Sequence, residues 1–519
     1  MNRPIRRLGI VLLVLYVALF VQLNNLQLFG AERLNEHPQN QRAAARDFEA
    51  PRGEIRTADG VLLAHSVPTP DGPAERRREY PEGIKYAHIT GYFSRTFGAA
   101  GIERQYNDEL AGKTTEQKYG DLTDLFDPKD HTGNVTLTID SRVQQAAIDA
   151  LGLRRGSVVA WDPRDGAILA MHSLPTYDPN PLSSPDVATA NAAKQALDAD
   201  PANPMLERTY RENFFPGSTF KVVTAATGLE TGAVTPESPT YPTSTGYVAP
   251  LTNRPLRNFG GSTCGGTLFE ILRVSCNSAF AEMGAEDIGP DRMIAGAEAF
   301  GFNDTPPIDL PNPAESVFPT DFGKRLQTID EYYAQRNGEP PPTTVPGGPE
   351  PVYVVEDTPR LAQTAVGQND VRATPLQMAM VAGAIANDGK VMKPFVMREI
   401  REQDGKLVRE ASPEVWRTAV SPQTAATMRE AMIEVVRNGT ASRLAIDGYV
   451  VGGKTGTAQL GTDPPRSHAW IIGFAGLPGQ PASVAVAVIV EGQEGASEQT
   501  GGRVAAPIAR AVMEAALAR

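Results

Sequence analysis

The segment FPGSTFK, residues 215–221, contains a serine and a lysine at a spacing typical of a nucleophile and its base. A proline and a glycine precede Ser218, and apolar residues at helical spacing follow it, so the segment predicts a helix that begins at this serine. Lys221 comes three positions later, which places both side chains on one helix face. Serine needs a neighbouring base to act as a nucleophile at neutral pH, and a helix N-terminus favours negative charge on its oxygen. A capping serine followed by a surface lysine would give the same pattern, so the segment alone leaves both interpretations open.

Two further motifs follow in the chain. Ser275-Cys276-Asn277 offers a hydroxyl that can relay a proton and an amide that can orient a carbonyl group. Lys454-Thr455-Gly456-Thr457 follows a predicted strand, and its cation, hydroxyls and glycine suit a peptide or carboxylate ligand. Each motif alone could be an ordinary loop or turn. The order SxxK, SxN and KTGT, however, is the pattern of penicillin-binding proteins and class A β-lactamases, and it predicts a serine acyl-transfer site.

The sequence resembles class B penicillin-binding proteins over nearly its whole length. Besides the three motifs, the similar segments are Arg52-Gly53-Glu54-Ile55, Gly367-Gln368, Thr374-Pro375-Leu376-Gln377 and Gly439-Thr440-Ala441. Gln368-Asn369 stands where many relatives have Gln-Gly, a departure expected to affect only the rim of the site. The modest length and Cys276 inside the SxN motif resemble actinobacterial members of the family.

The resemblance implies a peptidoglycan D,D-transpeptidase that cross-links stem peptides, is acylated by β-lactams and uses no cofactor. Ser218 would attack the carbonyl of a D-Ala-D-Ala terminus, and Lys221 would accept the hydroxyl proton. For that role Lys221 would have to be neutral, and Lys454 is expected to lie near enough to lower its pKa.

The resemblance also implies roles for the second and third motifs in proton transfer and substrate binding. Ser275 and Lys454 would pass a proton to the departing D-Ala, and Asn277 would hold the substrate amide. The substrate strand and its terminal carboxylate would be bound by Thr455, Gly456 and Thr457. The backbone N–H groups of Ser218 and Thr457 would form the oxyanion hole.

The first thirty residues predict a membrane anchor. Arg3, Arg6 and Arg7 precede an uncharged apolar stretch over residues 8–29, about long enough to cross a bilayer as a helix. The arginines predict that residues 1–7 are a cytoplasmic tail and that the catalytic part lies outside the cytoplasm at the cell membrane. A cleaved signal peptide is the alternative, although no small-x-small cleavage site follows the apolar residues.

Beyond the anchor, the sequence predicts two units of mixed α+β structure. Residues 35–138 resemble the N-terminal pedestal of the family, a dimerisation-like domain, and residues 139–519 the penicillin-binding transpeptidase domain, whose fold is that of serine β-lactamases. A hairpin signal at residues 156–171 opens the second unit, and strand patterns between residues 449 and 490 close it. We therefore expect the first and last strands to pair in a central antiparallel sheet flanked by helices. Proline-rich residues 339–351 predict an exposed loop.

The amino-acid composition and the length of the chain indicate which partners and ligands to expect. The 519-residue chain has a formal net charge of −12, which argues against nucleic acid as a main partner because phosphate binding needs a basic face. The six histidines and two cysteines include no HExxH or CxxC spacing, so no metal site is predicted. Too few residues precede the second unit for a glycosyltransferase domain, so a separate membrane glycosyltransferase is the expected partner.

The two cysteines, Cys264 and Cys276, predict a disulfide that tethers the loop carrying the SxN motif, since disulfides persist outside the cytoplasm. Two buried thiols are the alternative.

Two other functions share the three motifs. A β-lactamase would normally be shorter and soluble, without residues 35–138 or an anchor. A β-lactam sensor would need a signalling domain, and the short N-terminal segment contains no metalloprotease motif. The sequence therefore favours a monofunctional cross-linking enzyme.

Overall fold

The computed structural model describes residues 3–28, 48–69, 74–119, 130–340, 350–463, 466–493 and 499–519. Residues 35–47 of the predicted pedestal, residue 29 of the predicted anchor and residues 341–349 of the predicted proline-rich loop lie outside the described residues.

The helices are α1 (Arg3–Leu28), α2 (Ala87–Thr90), α3 (Gly101–Gln105), α4 (Asn107–Leu110), α5 (Thr115–Tyr119), α6 (Ser141–Leu151), α7 (Val187–Ala199), α8 (Arg208–Arg211), α9 (Lys221–Glu230), α10 (Leu268–Val274), α11 (Asn277–Glu282), α12 (Pro290–Ala299), α13 (Ile329–Asn337), α14 (Thr358–Thr364), α15 (Pro375–Ala386), α16 (Pro422–Asn438) and α17 (Gly501–Leu517). The strands of the two large sheets are β1 (Ile55–Arg56), β2 (Leu62–Pro68), β3 (Arg76–Glu79), β4 (Gly133–Leu137), β5 (Gly156–Trp161), β6 (Ile168–Leu174), β7 (Met397–Glu402), β8 (Leu407–Glu410), β9 (Val450–Gln459), β10 (Ser467–Gly476) and β11 (Val484–Val490).

Helix α1 has the properties expected of the predicted anchor. Its segment Arg6–Asn24 is long and apolar enough to cross a membrane, judged by length and composition. Large apolar side chains such as Leu13 and Phe20 are more than 60% exposed, so they are available to lipid rather than to a protein core.

The N-terminal sheet is shared between two distant parts of the chain. In the described residues its six strands follow the order β8-β7-β4-β1-β2-β3. β1 pairs parallel with β4, and β7 pairs antiparallel with the other edge of β4, where Ile400 faces Val135. Strands β7 and β8 come from the segment assigned to the transpeptidase unit, a pairing that the sequence analysis did not foresee.

A buried ion cluster stabilises the pedestal. The Arg52 and Arg78 guanidinium groups each donate to the Glu103 carboxylate at 2.6 Å, and all three side chains are almost fully buried. Burial alone would raise the pKa of Glu103, but the two arginines hold it below its ordinary value. Because removing one member would leave an uncompensated buried charge, this cluster fixes how the pedestal segments meet.

The second sheet has the topology predicted from the sequence. Its order is β9-β10-β11-β5-β6, and every neighbouring pair is antiparallel. β5 therefore pairs with β11, which confirms that the first and last strands of the unit meet. Every residue of β11 is buried because α6 and α17 cover one face of the sheet and α15 the other. This flanked antiparallel sheet confirms the expected fold.

Candidate active site

Ser218 lies in a single 3-10 turn, Gly217–Thr219, and the α-helix proper (α9) begins at Lys221. The turn rests against β9. The Gly217 N–H connects the turn to a distant segment by donating to the Gly367 carbonyl at 2.9 Å. Within the turn segment, Thr219 Oγ1 donates to the Pro216 carbonyl at 2.7 Å. In the part of the chain that the structure describes, no hydrogen bond occupies the Ser218 hydroxyl, which faces the cleft.

Lys221, three residues after the nucleophile, is fully buried. Its Nζ donates to the Ser275 carbonyl at 2.7 Å and to Asn277 Oδ1 at 2.6 Å, and it lies 3.4 Å from Ser275 Oγ. Burial, and secondly the nearby Lys454, lower the pKa of Lys221 well below its ordinary value. Both effects favour the neutral amine, which is the form that can accept a proton.

The SxN motif occupies the junction of α10 and α11. Ser275 caps α10 in the left-handed conformation, with φ of +62°, and Asn277 is the first residue of α11. Cys276, between them, is disulfide-bonded to Cys264, which confirms the predicted bridge.

Asn258, buried beside this junction, was not identified from the sequence. Its Oδ1 accepts from the Ser278 N–H at 2.9 Å, while its Nδ2 donates to the Ser244 and Ser262 carbonyls at 2.9 and 3.1 Å. The loop that carries the SxN motif is therefore fixed by one covalent bond and by this asparagine. No local pattern marks Asn258, because its partners lie in segments that only the fold brings together.

Lys454 lies in β9 and is fully buried. Its Nζ donates to Ser275 Oγ at 2.7 Å and to the Thr455 carbonyl at 2.9 Å. Burial lowers its pKa to about 7. Ser275 Oγ thus lies between the two lysines, so Lys221, Ser275 and Lys454 form a continuous path for a proton.

Thr455 and Thr457 line the wall of the cleft along β9, and Gly456 lies between them in the strand. The Thr455 hydroxyl shares a 2.7 Å hydrogen bond with the Thr440 hydroxyl. Gly456 lies where a Cβ atom would come within 3.0 Å of Thr219 Cγ2 and the Pro216 carbonyl, so glycine allows β9 to approach the nucleophile turn. Thr457 and Ser218 line the same cleft.

The cleft has a volume of about 920 Å³ and brings together the three motifs. Ser218, Ser275, Asn277, Thr455 and Thr457 line it, while the buried Lys221 and Lys454 contact it through Ser275. A serine followed one helix turn later by a buried lysine, a second lysine connected through a serine, and hydroxyls on an adjacent strand are the parts that acyl transfer requires.

Comparison with known proteins agrees with this geometry. Residues 156–514 match the penicillin binding protein transpeptidase domain, and residues 52–135 match the penicillin binding protein A dimerisation domain. The chain is 40% identical to a Mycolicibacterium smegmatis protein named peptidoglycan D,D-transpeptidase PbpA, and the match covers all of this chain and 99% of that protein.

Solved structures give the same result. The crystal structure of PBPA from Mycobacterium tuberculosis is similar with a TM-score of 0.76 and 36% identity, covering 90% of this chain and 99% of that one. The penicillin G acyl-enzyme complex of the same protein is similar with a TM-score of 0.75 and 36% identity, again covering 90% and 99%. The actinobacterial resemblance is thus confirmed, and the chain belongs to the penicillin-binding protein family of transpeptidases.

Proposed function

We propose that this chain is a membrane-anchored peptidoglycan D,D-transpeptidase that joins stem peptides through an acyl-enzyme on Ser218. The observation that carries the proposal is the environment of Lys221, which is buried, has a lowered pKa and donates to the Ser275 carbonyl and to Asn277 Oδ1 of the SxN motif. These features suit a general base next to a serine nucleophile.

In the acylation step, Ser218 Oγ attacks the carbonyl carbon of the D-Ala-D-Ala peptide bond, and Lys221 Nζ takes the hydroxyl proton. The backbone N–H groups of Ser218 and Thr457 stabilise the oxyanion of the tetrahedral intermediate. Asn277, held by Lys221 and by its own donation to the Arg257 carbonyl at 3.1 Å, orients the substrate amide.

The leaving group needs a proton, because D-Ala departs as an amine. The proton reaches it from Lys454 through the Ser275 hydroxyl, which accepts from Lys454 Nζ at 2.7 Å. The C–N bond then breaks and leaves a Ser218 ester. The hydroxyls of Thr455 and Thr457 bind the terminal carboxylate of the peptide, and Gly456 lets the peptide lie along β9.

Resolution of the ester repeats these steps in reverse. An amine from a neighbouring stem peptide attacks the ester carbonyl and gives up a proton to the same relay. Ser218 Oγ then leaves and recovers its proton from Lys221. The products are a cross-linked peptide and the free enzyme.

The rest of the chain serves this chemistry at the membrane. Arg3, Arg6 and Arg7 before the apolar residues of α1 favour a cytoplasmic N-terminus and place the catalytic unit outside the cytoplasm. Residues 35–138 act as the pedestal and residues 139–519 as the transpeptidase domain. A membrane glycosyltransferase supplies the glycan strands, and it should copurify with the full-length chain.

The activity is tested with a synthetic peptide ending in D-Ala-D-Ala and an amine acceptor. The full-length chain in detergent should release one D-Ala for each amide bond formed, and Ser218→Ala should do neither. Lys221→Ala should slow the reaction by at least about a hundredfold. Hydrolysis without amide formation at high acceptor concentration would contradict a transpeptidase.

A further inference from the structure

The cleft differs in charge from the rest of the molecule. Although the chain has a net charge of −12, no aspartate or glutamate is found among the described residues that line the cleft. Four arginines line it instead, and their positions in the chain group them as two walls: Arg254 and Arg257 in one loop, and Arg443 and Arg503, which are hydrogen-bonded to each other.

These arginines lack the partners that arginines have elsewhere in the protein. Arg155, Arg208 and Arg211, for example, lie 2.7–2.9 Å from carboxylates. In the described part of the chain, by contrast, none of the four cleft guanidinium groups forms an ion pair with a carboxylate. Their charge is therefore available to a ligand, and a peptide entering the cleft would reduce the solvent screening around it.

The two walls meet different parts of a bound peptide. Arg443 donates to the Arg503 carbonyl at 3.3 Å. Gly502, the neighbour of Arg503, packs near Thr455, since a Cβ atom added to this glycine would lie 3.5 Å from Thr455 Cγ2. This wall therefore belongs to the end of the cleft that takes the terminal carboxylate. The Arg257 carbonyl, by contrast, accepts from Asn277, the residue that holds the substrate amide before the scissile bond.

The wall of Arg254 and Arg257 is also well fixed. Leu256–Arg257 pairs with Gly246–Tyr247 in a short antiparallel ribbon, and the adjacent Asn258 connects this loop to the start of α11. The backbone of this loop is thus tied to the SxN motif, so the two exposed arginine side chains extend from a defined place beside the cleft.

We propose that Arg254 and Arg257 bind a carboxylate on the stem peptide upstream of its D-Ala-D-Ala terminus and so give the enzyme a preference for anionic stem peptides. The inference rests on the proposed function and identifies a specificity-determining pair within that site.

The test uses two synthetic peptides that end in L-Lys-D-Ala-D-Ala. The preceding glutamyl residue carries a free carboxylate in one peptide and the carboxamide in the other. For the full-length chain in detergent at low salt, kcat/KM for D-Ala release should be roughly tenfold higher with the carboxylate peptide, and the ratio should shrink as salt is added. In R254Q/R257Q the ratio should fall to within about twofold of one, while R254K/R257K should keep part of it.

The matched control is R336Q/R398Q, which removes the same number of positive charges from exposed positions outside the cleft and should keep the full ratio. Equal kcat/KM values for the two peptides in the parent enzyme, or a ratio that persists in R254Q/R257Q, would overturn the inference. Acylation of each variant by penicillin separates the two claims. If the parent enzyme is acylated but shows no peptide preference, this inference alone fails, whereas absence of acylation and of D-Ala release removes the proposed function and this inference with it.

Discussion

At the scale of single residues, the chemistry depends on two buried lysines with different pKa values. Burial lowers the pKa of Lys454 to about 7, and burial together with the charge of Lys454 lowers the pKa of Lys221 well below its ordinary value. The two lysines can therefore hold opposite protonation states near neutral pH. Lys221 is then the base and Lys454 the proton donor.

This assignment predicts the pH dependence of acylation. Lys454 carries its charge below about pH 7 and loses it above. The second-order rate constant for acylation by a fluorescent penicillin should therefore fall, by at least about threefold between pH 7 and pH 8.5. Lys454→Gln should be slower throughout and should show no decline over this range. If the same decline persisted in Lys454→Gln, Lys454 would not be the titrating group.

Gly367 is a second residue on which the position of the nucleophile turn depends. Its φ is +76°, and a Cβ atom there would lie 2.1 Å from the Gly217 carbonyl oxygen, next to Ser218. Gly367→Ala should therefore displace the nucleophile turn and slow penicillin acylation by about tenfold or more, besides lowering stability by about 1–3 kcal/mol.

Gly405 is the matched control because its φ is +89° and no described atom lies within 4 Å of the added Cβ position. Gly405→Ala should lower the melting temperature but leave acylation unchanged. Equal losses of acylation in the two variants would show that backbone strain alone, rather than contact with the turn, is responsible.

Some of these residues are recognisable from the sequence and others are not, for a physical reason. The three motifs are local patterns, so Ser218, Ser275 and Lys454 could be identified from residue types and order. The pKa values of the lysines depend on burial, and the role of Asn258 depends on segments that meet only in the fold. Asn369 has a φ of +63°, a left-handed conformation that asparagine tolerates and glycine adopts freely, and the sequence alone does not show this.

At the scale of elements, the disulfide and α11 determine how well the SxN motif is positioned. Cys264 and Cys276 close a short loop, which in the chain-entropy model stabilises the fold by about 3 kcal/mol. C264S/C276S should therefore unfold at lower urea concentration and react more slowly with penicillin, because Ser275 and Asn277 lose their tether. Non-reducing alkylation followed by mass spectrometry checks the bridge itself. Two labelled cysteines in the native protein would contradict it.

Helices and strands with strong local signals were predicted well. Helices α15 and α16, for example, begin directly after Thr374 and Ser421, where a capping hydroxyl followed by a first-turn proline is a start signal visible in the sequence. Strands β7 and β8 were not assigned to the pedestal sheet because strand partners far apart in the chain leave no local signature.

At the scale of the whole molecule, the shared N-terminal sheet makes the pedestal dependent on the catalytic segment. A fragment of residues 48–138 would leave one edge of β4 unpaired, where β7 binds in the full chain. We expect this fragment to lack cooperative thermal unfolding by circular dichroism. Attaching residues 397–410 through a linker should restore it, and cooperative unfolding of the fragment alone would contradict the shared sheet.

The whole mechanism depends on an acyl-enzyme at Ser218, which mass spectrometry after incubation with penicillin would detect. A β-lactam presents a strained amide beside a carboxylate, and after ring opening its amine stays attached and blocks the incoming acceptor. The full-length chain should gain the mass of one penicillin, retained through denaturation and mapped to the peptide containing Ser218, and Ser218→Ala should gain none. A stable adduct on another residue, or rapid release of penicilloic acid as in a β-lactamase, would contradict the account.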